Sequence, residues 1–149
     1  MGIISGGGGG GGGSSTIAAH TVTLSSAQIL ALGTTPITIV PAVNGQIIVP
    51  LYVASRLHFG TVAYTEAGQP RLFVGATIGA AGWGSIIGGM LNLTATADSA
   101  LYVGTGQLEA DSETLARLTN VPLSVDETGA VTDGDGTVDV TTLYYLLTP

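Results

Sequence analysis

Hydrophobic and polar residues alternate along most of this chain, and the strands that the alternation predicts are short and closely spaced. In "AAHTVTLSS" the alternation places Val22 and Leu24 on one face. "SSAQILALG" breaks the period. Ser25 stands three residues before Gln28, the spacing of a capping box, and Gly33 fits a left-handed C-terminal cap. The expectation is a short helix from Ser26 to Leu32. "TPITIVPAVNGQIIVPLYVASRLHF" then sets Asn44-Gly45 between two β-branched runs, which predicts a hairpin. Beyond the turn, Ile47, Val49, Leu51, Val53, Leu57 and Phe59 share one face, and Ile48, Tyr52, Arg56 and His58 the other. Pro41 and Pro50 have no N–H to give a ladder, so each belongs at an edge or a bulge.

The remainder reads the same way. "GTVAYTEAGQP" is a loop with a short strand. "RLFVGAT" is a strand with Leu72 and Val74 to one side. "GSIIGGMLNLTATA" is a strand with a bulge at Gly88-Gly89, and "SALYVGTG" a further strand. "EADSETLARLTN" is acidic and predicts a helical turn, with Asp111 as N-cap and Leu115 and Leu118 packed inward. "VPLSVD" is a strand and "TGAVTDGDGT" a turn-rich loop. "VDVTTLYYLLTP" closes the sequence as a long strand. Val138, Val140, Tyr144 and Leu146 lie on one of its faces, and Leu143, Tyr145 and Leu147 on the other. A strand apolar on both sides is covered on both sides. The second face is therefore expected to meet another subunit, with Leu143 and Tyr145 as contacts. Many short strands between turn signals predict an all-β fold. It is expected to be an antiparallel β-sandwich, jelly-roll-like, with one short helix.

Ahead of that domain, expected over 18–149, lies an arm of residues 1–17. It contains an unbroken glycine run, Gly6 to Gly13. Glycine loses more backbone freedom on ordering than any other residue, so the expectation is a flexible arm. The run has no side chains and its backbone can lie close against another protein. Ile3 and Ile4 form an apolar tip and are candidate contact residues.

Composition sharpens the expectation of partners. Charged residues are 9% of the chain, against roughly 25% in an average soluble domain. Hydrophobic residues make up 45%, and mean hydropathy is +0.52. A lone domain with so few charges would associate. Much of its surface is expected to be covered, by identical copies or by a larger assembly. The longest uncharged stretch, "FVGATIGAAGWGSIIGGMLNL", is broken by glycines and reads as two strands and a loop, not a membrane span.

The net charge is −7, and the only cations are Arg56, Arg71 and Arg117. Phosphate binding needs clustered Lys and Arg, so nucleic acid is not an expected partner. There is no cysteine, which removes thiolate catalysis and disulfides. "MGIISGG" has neither the basic nor the long apolar region of a signal peptide, and glycine stands where myristoylation needs Ser or Thr. His20 and His58 have no carboxylate or serine near them in sequence. "GWGSIIGG" misses the nucleophile-elbow spacing, and no glycine-rich stretch carries a P-loop lysine. No enzymatic role and no cofactor are expected. "TDGDGTVD" offers Asp133, Asp135 and Asp139 as oxygen donors to a hard cation such as Ca²⁺. The EF-hand spacing is not met, and Asp-Gly repeats also build tight turns.

Several of these segments together carry a resemblance. "ALGTTPITIVPAVNGQIIVPLYVASRLHFGTVAYT", "LNLTATADSALYV", "LTNVPLSV" and "GDGTVDVTTLYYLL" resemble small structural proteins encoded by tailed bacteriophages. The resemblance implies a non-enzymatic virion protein. Proteins of this kind serve as capsid cement or decoration, often as homotrimers over junctions of the major capsid protein. Others sit in the neck, tail or baseplate, or recognise a host-surface glycan; for that last role Trp83 and Tyr64 are the candidate loop aromatics. The implied location is the virion.

Overall fold

The computed structural model describes residues 16–75, 84–86, 91–104 and 118–149. In chain order its elements are β1 (Ile17–Leu24), α1 (Ser26–Ala31), β2 (Ile37–Val40), β3 (Ile47–His58) and β4 (Tyr64–Glu66). They continue with β5 (Pro70–Val74), β6 (Gly84–Ile86), β7 (Ser99–Gly104), β8 (Leu123–Glu127), β9 (Val131–Asp133) and β10 (Thr137–Leu147). The first sheet has the order β1-β10-β3-β7 and the second β2-β8-β5-β6; β4 and β9 form a separate pair. All the pairings are antiparallel. Apart from β5 and β6, which pair within the second sheet, the strands of the two four-stranded sheets alternate between them in chain order, and the first and last lie side by side. This is the jelly-roll arrangement of the β-sandwich.

Between the sheets lies one core. Leu24, Val53, Leu57, Val138 and Val140 come from the first sheet, and Ile39, Val40, Leu72, Leu123 and Val125 from the second. Each such side chain contributes about 1.5–3 kcal/mol when fully buried. Ile29 and Leu32, from and just after α1, close one side of the core. The helix starts as its sequence requires. Ser25 Oγ accepts the Gln28 N–H at 3.4 Å, and Gln28 Oε1 accepts the Ser25 N–H at 2.9 Å.

Besides the strand expected over "GSIIGGMLNLTATA", whose described residues after β6, 91–97, are turns and bends, four details depart from the sequence-based expectation. The Asn44-Gly45 turn exists, with Gly45 at φ +72°, but it joins no hairpin: β2 lies in the second sheet and β3 in the first. The turn is tied to the chain before β8 instead. Gly45 N–H donates to Asn120 Oδ1 at 2.5 Å, and Asn120 N–H donates to the Gln46 carbonyl at 3.1 Å.

Second, the β3 face pattern breaks midway. Tyr52 pairs with Leu143 and Pro50 with Tyr144, so Leu51 is an extra residue in a bulge. Beyond it the parity reverses. Pro50 and Ile48 join Val53 and Leu57 on the core side, and Leu51 is exposed. Pro50 thus sits at a bulge, as its missing N–H demands. Third, Gly33 is not left-handed. It is glycine because a Cβ there would strike the Gly129 carbonyl oxygen. Fourth, "TGAVTDGDGT" contains β9, a strand too short to show a period.

The expected arm contributes its last residue, Ile17, to β1, opposite Tyr145. Its remaining residues up to Ser15, the Gly88-Gly89 bulge, Trp83, and the Asp111 and Leu115 helical turn lie outside the described residues. Leu118 of that turn is buried as expected.

Candidate partner interface on the first sheet

The outer face of the first sheet is divided between two chemistries. Its rows follow from register. Thr23, Asp139, Arg56 and Ala100 form one row; Thr21, Thr141 and Ala54 the next; Ala19, Leu143 and Tyr52 the third; Ile17, Tyr145 and Val49 the fourth. The first two rows are polar and hydrogen-bonded. The last two, continued by Leu147, are apolar.

At the polar end Thr21 Oγ1 and Thr141 Oγ1 are 2.9 Å apart. Thr23 Oγ1 donates to Asp139 Oδ1 at 2.6 Å, and His58 Nε2 lies 2.8 Å from Asp139 Oδ2. The Thr23 and His58 donors, with Arg56 nearby, hold the Asp139 carboxyl below its ordinary range. A shallow hollow of about 190 Å³ opens here, lined by Thr21, Ala54, Arg56, Ala100, Asp139 and Thr141 among others.

At the apolar end Ile17 is 63% exposed, Leu51 39%, Leu143 36% and Leu147 39%. These are most of the large exposed hydrophobic side chains among the described residues; Leu30 and Val62 lie elsewhere. Such clustering, not the exposure of any one leucine, marks an interaction surface. β1 is also an edge strand, and the expected arm joins the domain at its first residue.

The structure thus brings Leu143 and Tyr145 together on one face with Leu147, as their alternation predicts, and adds Ile17 and Leu51. Ile17 and Leu147 carry the signal of period two in the two outermost paired positions. Leu51 was unreadable from sequence because the bulge that exposes it reverses the parity. Ile3 and Ile4 lie outside the described residues.

The three aspartates proposed for a cation have separate partners. Asp139 belongs to the polar end just described. Asp135 accepts Thr61 N–H and Thr61 Oγ1–H at 2.7 Å each and Val62 N–H at 2.9 Å. These donors hold its carboxyl below the ordinary range. Asp133, at φ +59°, and Gly134, at φ +78°, form the tight turn after β9. Among the described residues no three His, Asp or Glu side chains form a metal-binding group. Nor does any helix there have the length and apolarity to cross a membrane. Tyr64, expected on a loop, is in β4 and 3% exposed. Its hydroxyl donates to the Gly136 carbonyl at 2.6 Å, and burial raises its pKa. It has no surface for stacking on a sugar.

No family model matches the chain, and no curated protein matches its sequence. A solved structure, the capsid asymmetric unit of cyanophage Pam1, aligns at a TM-score of 0.46 with 18% identity, over 97% of this chain and 93% of that one. Likeness at that level carries no argument about what this chain does.

Proposed function

We propose that this protein is a non-enzymatic structural component of a bacteriophage virion, a cement or decoration protein of the capsid. On this reading it works as a homotrimer seated over junctions of the major capsid protein, and it stabilises the shell by buried area alone. The observation that carries the reading is the apolar end of the first sheet, placed where the arm joins β1. A sequence with 9% charged residues has little else to keep that face wet. The resemblance of the strand segments to small tailed-phage proteins supports the reading, as does the jelly roll, a fold used in viral shells. The fold also serves lectins, so it supports the class of protein and not its station.

Two surfaces share the work. Leu143, Tyr145 and their neighbours bind adjacent copies. The arm, through Ile3 and Ile4, binds the shell, where many identical sites offset the cost of ordering glycine. Removal of the residues before Ser14 tests this on isolated capsids. The truncated protein should fold and trimerise yet decorate shells at least tenfold less tightly. Equal decoration by the truncated and full-length proteins would overturn the arm's role. Copy number per virion tests the station: hundreds mean the capsid shell, whereas a handful means neck, tail or baseplate.

A further inference from the structure

At the end of a strand of the second sheet, away from the partner surface, one glutamate is buried and a second, half-buried, lies near it. Glu127 ends β8 and is 1% exposed, and neither of its carboxyl oxygens makes a well-formed hydrogen bond; the Gly129 amide is the one donor beside them. Glu66 ends β4, and its Oε1 is also buried and unbonded. A buried carboxylate with no donor is costly unless it is neutralised. Among the described residues the one cation of that region is already engaged: Arg71 binds Asp126 by two contacts, Nε to Oδ1 at 2.8 Å and Nη2 to Oδ2 at 2.5 Å.

The surroundings make this pair a joint. The β4–β9 pair meets the sandwich at the 128–130 turn, where backbones pack without side chains between them. A Cβ on Gly129 would lie 2.6 Å from the Ala67 carbonyl carbon, and one on Gly68 2.7 Å from Glu127 Oε1. Ala67 N–H donates to the Ala130 carbonyl at 2.9 Å, and Thr128 N–H to the Gln69 carbonyl at 3.1 Å. Glu127 N–H donates to the Leu32 carbonyl at 3.2 Å, which ties the end of α1 to the same place. A negative charge on Glu127 is nearly cut off from solvent, and among the described residues the nearby cation, Arg71, is held by Asp126.

We propose that Glu127, with Glu66 as its charged neighbour, forms a proton-operated latch, which holds the β4–β9 pair and α1 on the sandwich while the Glu127 carboxyl keeps its proton and loosens them when that proton leaves. The charged groups that face Glu127 are Glu66 from β4, Asp126 from its own strand and Arg71 from β5. Burial and then the Glu66 charge push Glu127 up to about 7, and Arg71 and the Gly129 amide offset only part of this. Burial raises Glu66 as well. The sign follows. The folded state holds a proton that the unfolded state releases near 4.5, so the latch is closed in mild acid and opens as pH rises toward 7. The latch needs no particle and stands apart from the proposed function.

The test is urea unfolding of the full chain between pH 4.5 and 8.5, with hydrogen exchange at residues 64–69 and 128–133, corrected for intrinsic rates. In the unaltered protein the folding equilibrium constant should fall by up to about tenfold per pH unit between pH 5 and 7, and exchange at the two segments should rise with it. Glu127→Gln cannot ionise and should flatten both profiles. Glu66→Gln keeps Glu127 but removes its neighbour's charge, so the decline should end at lower pH; this variant also serves if Glu127→Gln does not fold. Parallel profiles in all three proteins would overturn the latch. So would stabilisation at pH 8 by millimolar Ca²⁺ that disappears in Glu127→Gln, because the pair would then hold a cation.

Discussion

Thr142 points its side chain into the core with Val140 and Tyr144, and its hydroxyl is buried without a hydrogen bond. Valine has the same shape without the polar atom. Thr142→Val is therefore expected to stabilise the fold by about 1 kcal/mol, read as a higher urea midpoint at unchanged slope. Arg71 and Asp126 present the opposite case. They are cross-strand neighbours on β5 and β8, and Asp126 is fully buried. Arg71→Ala would strand that carboxylate and should cost about 3–5 kcal/mol. An Arg71→Met, Asp126→Leu double variant should recover most of the loss, because it removes both charges at once. A double-mutant cycle on unfolding checks this, and an additive result would mean the pair is not coupled.

At the level of elements, α1 depends on its cap more than on its six residues. Ser25→Ala should lower stability by about 1 kcal/mol, and calorimetry would register it as a lower Tm. The cap was legible because its geometry is local: three residues of spacing suffice to fix it. The long strands were legible for a similar reason, since β1, β3 and β10 carry enough period to announce themselves. Partner choice was not. β2 and β3 flank a good turn, yet they enter different sheets, and only the contacts of Asn120 with Gly45 and Gln46 show why. Gly33 was read as a cap because capping is the commoner use of glycine after a helix; its actual neighbour, Gly129, is distant in sequence. The candidate interface was half legible. Alternation on β10 exposed Leu143, but the bulge that turns Leu51 outward comes from a register mismatch between two strands. Nothing in the run "IIVPLYV" announces it beyond Pro50.

The whole molecule should be most stable in mild acid. Asp135 and Asp139 are held below 3.8 by hydrogen bonds, so the stability they lend is present above that value and is lost as pH falls through their folded range. Glu127 acts in the opposite sense, and its penalty grows from about 4.5 and is complete above about 7. That penalty is on the order of 3 kcal/mol. Thermal unfolding across pH should then peak near pH 5, and a maximum above pH 7 would contradict the assignment of Glu127. Assembly belongs to this scale too. On the proposed reading, Leu143→Asp introduces a charge into the apolar end and should convert the proposed trimer to monomers in sedimentation experiments, with the Tm of the monomer little changed.

The first and last strands run side by side, with Ile17 opposite Tyr145, so the start of β1 and the end of β10 lie at the same pole. This sets how the molecule bears load. Tension between the arm and the end of β10 would unzip their ladder one pair at a time. Tension between the arm and the opposite pole, near His58 and Thr137, would put the whole ladder in shear. Under the proposed tethering, the domain is mechanically strong only when held from that far pole, and single-molecule pulling from the two attachment points should give low and high rupture forces respectively.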